Sequence, residues 1–277
     1  MSKGKSRTEF LGGIGLVNSI DAPGWEHIYR VSSVKDPKWN IGDLCITPDG
    51  RKFRYCLSAG QCDTFIANIF TNSIGTGAGD VGIDWSVLAA TSEVGDMSVT
   101  MTLPSTRDIA KDALRGGLIS LNISSGTNND TQQMRLITGN TAGVASGTCV
   151  IYLDSPLVTT LSSGVAYGYC MPSPYSAVQG AQIGTYPGDV GFVGYAAAPV
   201  SESGLYHWEQ TAGQISASLY GSEVGKTQYH RDVVFRYDGN LEHRTAGAGD
   251  IGQRAGYIMD NNNADNGATV IMLQLEG

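Results

Sequence analysis

Three tetrapeptides, Gly-Asp-Val-Gly at 79–82 and 188–191 and Gly-Asp-Ile-Gly at 249–252, set an aspartate between glycines, as calcium- and phosphate-binding loops do. A calcium loop needs oxygen ligands at tight, fixed spacing, so that six or more converge on one ion. Here Asp80, Asp189 and Asp250 stand about 60 to 110 residues apart, and none has a local set of oxygen donors around it. The pattern reads instead as a turn, in which glycine takes a conformation closed to other residues, aspartate bonds nearby amides, and Val or Ile starts the next strand. Ile41-Gly42-Asp43-Leu44 and Val94-Gly95-Asp96-Met97 fit the same role.

Other chemistry-bearing stretches lose their case on spacing. The acidic, amide-rich run 260–268, DNNNADNGA, has its glycine at Gly267, one place late for an EF-hand, and no closing glutamate, so a hairpin with Asn266-Gly267 at its tip is expected. His230-Arg231-Asp232 matches three letters of a kinase catalytic loop but lacks the following Asn and a glycine-rich loop with its lysine strand. The run 75–82, GTGAGDVG, lacks the Lys-Ser/Thr of a phosphate-binding loop. His207 and Glu209 could serve as a base and its partner, because residues two apart on a strand share a face, with Tyr206, Trp208 and Gln210 on the other. No GxSxG elbow, HExxH or paired histidine accompanies them, and the chain has only 4 histidines. A non-enzymatic protein with no catalytic, cofactor or metal residues is therefore expected.

Five cysteines (Cys45, Cys56, Cys62, Cys149, Cys170) form an odd, scattered set with no CxxC pair and no nearby histidine spacing. Neither a disulfide framework nor a zinc site is expected. Each is read as a small apolar residue in a strand, in a protein made in a reducing cytoplasm.

The elements that must position such residues are strands. The 277 residues include 37 Gly and 9 Pro, and only 16% are charged, against roughly 25% in an ordinary soluble protein. Period-two alternation recurs: Met97, Val99, Met101 and Leu103 on one face; Phe53, Tyr55 and Leu57; Ile119, Leu121 and Ile123; Val233, Phe235 and Tyr237; Ala255, Tyr257 and Met259. Turn signals separate them at 48–51 (PDGR), 124–130 (SSGTNND) and 237–240 (YDGN). Only 105–117 offers a cap and a closing glycine pair, enough for one short helix or an irregular loop. The fold class is all-β: antiparallel sandwich or barrel modules, with an extended N-terminal arm and at most one short helix. Four segments are expected: the arm, 1–40; the first part of a β body, 41–95; an inserted β module, 96–183; and a C-terminal β unit, 184–277, packing with 41–95.

Net charge of −8 opposes nucleic-acid binding, which needs cations to displace counterions. The first seven residues nevertheless carry Lys3, Lys5 and Arg7 and no acid, either as a frayed terminus or as an arm that docks on an acidic neighbour. The run 10–17, FLGGIGLV, is too short and glycine-rich for a secretion signal, and 190–200 is far shorter than the roughly 20 residues of a membrane helix. The chain is expected to be soluble, with no membrane partner. Its 13 tyrosines and 4 tryptophans suit core, subunit interface or sugar recognition alike.

The order of segments resembles structural proteins of tailed-phage virions, including capsid decoration and head-associated proteins. It is carried by GDLCITPDGRKFRYCLSAG (42–60), a Thr/Ser-rich module beginning GDMSVTMTLPSTRDIAKDALRGGLISLNIS and closing CVIYLDSPLVTTLSSG, GFVGYAAAPVSESGLYHWEQTAG (191–213), DVVFRYDGNLEHRTAGAGDIGQRAGYIM, and a terminal TVIMLQLEG. The resemblance covers most of 42–277 and implies a non-enzymatic capsid decoration or cement protein. It would bind the major capsid protein, associate as a homo-trimer, need no cofactor, and lie on the virion surface after synthesis in the bacterial host cytoplasm. In that setting Lys3, Lys5, Arg7, Trp25 and Trp39 would bind the shell, and Tyr206 and Trp208 would lie in a subunit interface or the core. The alternative is a tail or head-fibre adhesin holding host surface glycans.

Overall fold

In the computed structural model of the chain, residues 9–11, 14–16, 25–71, 83–105, 108–123, 132–181, 191–220, 231–243, 252–259 and 268–276 are described. The first strands are β1 (Glu9–Leu11), β2 (Ile14–Leu16), β3 (Leu44–Ile46), β4 (Lys52–Leu57) and β5 (Asn68–Phe70), with a 3-10 helix at Trp25–Tyr29. Then come β6 (Ile83–Val87), β7 (Ser98–Thr102), β8 (Leu118–Ile123), β9 (Gln133–Asn140), β10 (Thr148–Leu153) and β11 (Ala166–Met171). The rest are β12 (Val178–Gly180), β13 (Phe192–Ala196), β14 (Tyr206–Ser218), β15 (Asp232–Phe235), β16 (Leu241–His243), β17 (Arg254–Ile258) and β18 (Ala268–Gln274). The protein is all-β, and every pairing between named strands is antiparallel. No helix among the described residues is long and apolar enough to cross a membrane.

Two compact units divide the chain: residues 1–71 with 175–277, and residues 72–174. The expected boundaries stood at 95/96 and 183/184. β6, placed by the sequence in the first part of the β body, pairs with β11 inside the 72–174 unit.

The 72–174 unit is a six-stranded sheet in the order β6-β11-β8-β9-β10-β7. Its two edges meet through a bridge between Leu88 and Met101, with the Ala89 amide donating to the Thr100 carbonyl at 2.8 Å, so the sheet nearly closes into a barrel. β8, β9 and β10 form a meander flanked by β11 on one side and β7 on the other, which makes two overlapping Greek keys. Inward positions fill the barrel with Val99, Met101, Ile119, Leu121, Ile137, Cys149 and Ile151, all at 1% exposure or less. Burial of each large aliphatic side chain stabilises the unit by about 1.5–3 kcal/mol. Within 105–117, residues 108–117 pack as irregular turns; Ile109 bridges to Gly143, and Leu114 is fully buried.

The larger unit is a ten-stranded sheet in the order β12-β5-β13-β14-β18-β17-β15-β16, with β4 on β14 and β3 on β4. β14 organises it. Its residue Ala212 pairs with Lys52 of β4 and Gln274 of β18, and its residues Glu209 and Gln210 pair with β4 and β13. β4 therefore occupies one edge of β14, while β13 and then β18 share the other. The change of partner falls at Ala212-Gly213, beside a register shift, where Gly213 has φ +96 and a Cβ would come within 2.8 Å of Arg51 Cγ. A parallel bridge from Leu219 to Leu241 brings the end of β14 to β16 and curls the sheet around Phe192, Tyr195, Phe235 and Ile271.

The expected alternation holds for Val99, Met101 and Leu103 and for Ile119 and Leu121. In β4 Phe53 and Tyr55 are buried but so is Cys56, and Leu57 is half-buried; in β15 Val233, Val234 and Phe235 are all buried and Tyr237 beyond it is half-buried, so both faces of these strands are covered. The alternation breaks in two further places. Met97 precedes β7 and is exposed, while Val99, Met101 and Leu103 face inward. In β17 the buried residues are Ala255 and Ile258, whereas Tyr257 and Met259 are exposed. β15 pairs Val233 with Gly256 and Val234 with Arg254, so Ala255 is an extra residue, and this bulge reverses the alternation beyond it.

Gly-Asp punctuation is visible at two sites. Asn40 and Asp43 exchange hydrogen bonds, the Asp43 amide donating to the Asn40 carbonyl at 2.9 Å and the Asn40 amide to the Asp43 carboxylate at 2.7 Å. Glu93 and Asp96 do the same at 3.1 and 2.8 Å. Gly42 (φ +89) and Gly95 (φ +95) take the third place of each turn, which a side chain disfavours. Asp80, Asp189 and Asp250 lie outside the described residues, as do the hairpin tip 260–267 and the run 124–130; the three tetrapeptides end just before β6, β13 and β17.

Two substitutions test this packing. No atom crowds a Cβ at Gly95, so Gly95→Ala should cost only backbone strain, about 1–2 kcal/mol by urea denaturation. The Tyr195 hydroxyl is buried with no hydrogen-bond partner, so Tyr195→Phe should raise stability by about 1 kcal/mol; a fall would mean that the hydroxyl is bonded.

Candidate functional site

β14 presents two different faces. Cross-strand pairing sets His207 opposite Cys56 and Glu209 opposite Arg54, while Trp208 faces Tyr55 and Gln210 faces Phe53. Paired residues share a face of the sheet, so His207, Glu209, Cys56 and Arg54 lie on one side and the aromatic residues on the other. His207 and Glu209 share a face, as their two-residue spacing requires, and they are in direct contact.

On the polar side, His207 Nε2 lies 2.8 Å from Glu209 Oε1, with His207 at 1% and Glu209 at 0% exposure. Asn68, the first residue of β5, donates its Nδ2 to both Glu209 oxygens at 3.0 and 3.1 Å and to the Asp63 carbonyl at 2.9 Å. Its Oδ1 accepts from the Asp63 amide at 2.9 Å. The Asp63 carboxylate caps the same loop through the amides of Phe65 and Ile66. Cys62 completes the group: its Sγ and ligand atoms of His207 and Glu209 lie within 4.8 Å of one another.

Cys62 is the residue that the sequence did not connect to this site. It lies in the loop between β4 and β5, not in a strand, and is held by reciprocal backbone hydrogen bonds with Val200. All five cysteines are free and buried. Burial pushes the Cys62 thiol far up, and the Glu209 charge adds to it. A thiol so held is not an activated nucleophile. With His207 and Glu209 also enclosed, the group has the composition of a ligand set and not the exposure of a catalytic dyad.

On the aromatic side, Trp39 meets Trp208 edge to face at 4.9 Å, His27 stacks on Trp39 at 5.8 Å, and Tyr55 stacks on Tyr206 at 5.8 Å. Segment 30–40 is tied across them: Ser32 and Tyr206 exchange backbone hydrogen bonds at 3.0 and 2.7 Å, and the Asp36 amide donates to the Tyr55 hydroxyl at 3.1 Å. A pocket of about 340 Å³ opens here, lined by these rings with Arg30, Lys35 and Asp36 among its polar groups.

The residues expected to bind a shell have different places. Lys3, Lys5 and Arg7 lie outside the described residues, and Trp25 opens the 3-10 helix. Trp39 is 8% exposed and packs within its own chain, leaving little surface for a partner. Trp208 is in the core at 2%, and Tyr206 is half-buried. Compared with protein-family models, curated proteins and solved structures, the chain matches none.

The aromatic pocket carries a pH signature. Burial, with Arg30 and Lys38, holds His27 below its ordinary value of 6.5 despite the opposing charge of Asp36. The unfolded chain therefore takes up this proton first, and His27 should lower stability as pH falls through about 6.5. Melting curves between about pH 7.5 and 5 should flatten in that window for His27→Asn relative to the parent.

Proposed function

We propose that the chain is a non-enzymatic structural component of a tailed-phage virion, a decoration or cement protein that binds the major capsid protein and associates as a homo-trimer on the capsid surface. The observation that carries this reading is the pair of compact antiparallel β units, each with its own buried core. Such a body resists proteolysis and offers broad surface, as a particle's exterior demands. The order of its segments, similar to that of head-associated proteins, supports the same role. With Trp39 packed in the body, contact with the shell falls to Trp25 as an apolar anchor and to Lys3, Lys5 and Arg7, whose charges complement an acidic partner.

A second reading, a fibre or tail adhesin for host glycans, is favoured by the pocket of about 340 Å³. Aromatic rings beside Arg30, Lys35 and Asp36 match the stacking faces and hydrogen-bonding groups that a sugar uses.

Cosedimentation with empty phage shells tests the first reading. The full chain should bind saturably, and the triple substitution Lys3→Glu, Lys5→Glu, Arg7→Glu should weaken binding at least tenfold at low salt, with less effect at high salt. Binding to host polysaccharide but not to shells, lost in Tyr206→Ala, would overturn it in favour of the adhesin.

A further inference from the structure

We propose that Cys62, His207 and Glu209 form a buried site for a zinc-like divalent transition metal. Their thiol sulfur, imidazole nitrogen and carboxylate oxygen converge within 4.8 Å. This is a mixed S, N, O donor set of the kind zinc takes, with room in its tetrahedral shell for a fourth ligand.

The histidine's hydrogen bonding supports a cation. His207 Nδ1 lies 3.4 Å from the Leu205 carbonyl, and Nε2 lies 2.8 Å from Glu209 Oε1. A neutral imidazole has one N–H. Donated to Leu205, it leaves the Nε2 lone pair facing a carboxylate oxygen; donated to Glu209, it leaves the Nδ1 lone pair facing a carbonyl oxygen. Both contacts become attractive when a cation, either a proton or a metal ion, is shared between Nε2 and Glu209, with Nδ1–H on Leu205, the support a metal-bound histidine usually has.

The surroundings fit. Asn68 steadies both oxygens of Glu209, the second-shell role that ligating carboxylates require. Arg54, on the same face, gives its guanidinium to Glu276 and the Gly42 carbonyl. The Cys62 thiol gives its hydrogen to the Val178 carbonyl at 3.4 Å, leaving sulfur lone pairs for a metal. On binding, the S–H bond breaks, its proton goes to solvent, and a sulfur–metal bond forms. A thiolate, a carboxylate and a neutral imidazole around a divalent ion sum to zero charge, as a buried site needs. Tetrahedral bonds to S, N and O set the ligands about 3.3–3.6 Å apart, so the His207–Glu209 contact would widen by about half an ångström.

Because the site is enclosed, the ion enters as the chain folds. The test refolds the full chain with Zn²⁺, with Co²⁺ or without metal, and measures metal content after desalting, melting temperature and the thiolate-to-cobalt charge-transfer band. The expected result is one metal per chain, a higher melting temperature when loaded, and a charge-transfer band. Cys62→Ser should abolish the band, Glu209→Gln should weaken binding at least tenfold, and Cys45→Ser, the other thiol near a histidine (Sγ to His27 Nε2, 3.8 Å), should leave both intact. If the parent refolds with no metal and an unchanged melting temperature, or if Cys62→Ser keeps the band, the proposal fails and His207 and Glu209 are a metal-free buried pair. Should Cys62→Ser not fold, the parent and Cys45→Ser decide: no band in the parent, or a band lost with Cys45, overturns it.

Discussion

The alternation of side chains along β14 is the constraint on which the larger unit depends. From Tyr206 to Gln210, each step of one residue moves a side chain to the other face of the sheet. β4 pairs with this stretch along one edge and β13 along the other. The strand is thus closed on both edges where it carries its polar residues, and its side chains from His207 to Gln210 are buried. Trp208 is enclosed by Trp39 and Tyr55, and Glu209 by Asn68, Cys62 and His207. A slip of one residue in the β4 pairing would drive Glu209 into the tryptophan cluster and Trp208 into the polar pocket, so the two faces lock each other's register.

A carboxylate at 0% exposure is costly unless its lone pairs are met. Here the loop 61–67 supplies that support. Asp63 organises the loop by accepting from Phe65 and Ile66, and the loop in turn fixes Asn68 through two hydrogen bonds to the Asp63 backbone. Asn68 then presents its amide to Glu209 with little freedom left to lose. The ordering energy of the polar site is therefore carried by a turn that buries no charge. The same short loop thus delivers Cys62 and fixes Asn68 where β5 begins. Beside Glu209, on the same face, the bidentate pair between Arg54 and Glu276, at 2.7 and 3.0 Å, joins β4 to the residues that follow β18, with the Tyr175 hydroxyl donating to Glu276 at 2.7 Å.

What was legible in the sequence follows from the range of the interactions involved. The shared face of His207 and Glu209 is a two-residue relation, and so is the turn at Gly42-Asp43; both are set by local backbone geometry. The all-β class followed from the same short-range alternation. Cys62 meeting His207 depends instead on β5, β13 and β14 lying side by side, a relation between segments more than a hundred positions apart that no spacing rule encodes. The burial of Trp39 has the same cause, since its partner Trp208 is equally remote. Tyr257 misled for a different reason: the bulge at Ala255 inverts the alternation, and its only local sign is Gly256, which has φ +148 and a Cβ position 1.9 Å from the Met272 carbonyl oxygen. The segment 105–117 has a helix's terminal signals, but its apolar residues Ile109 and Leu114 are five apart and are taken by separate turns of the barrel wall.

The boundaries of the 72–174 unit have a physical origin in the larger unit alone. β5 and β12 pair antiparallel, Phe70 opposite Val178, and beyond the last pair the Thr71 amide and hydroxyl both donate to the Ala177 carbonyl, at 3.0 and 3.1 Å. The points where the chain leaves the larger unit and returns to it are thereby fixed next to each other. Holding the ends of a long excursion together costs entropy that grows only with the logarithm of its length, and these hydrogen bonds help offset it. A sheet that clamps adjacent strand ends can accept an intervening β module without disturbing its own register. The sequence marks this junction poorly, because β12 is three residues long and its pairing partner β5 is equally short. The strong turn signals at Gly95-Asp96 and at 184–191 lie a strand or a loop farther on. Punctuation by glycine and aspartate therefore locates strand starts, while the unit boundary is set by which strand ends are hydrogen-bonded together.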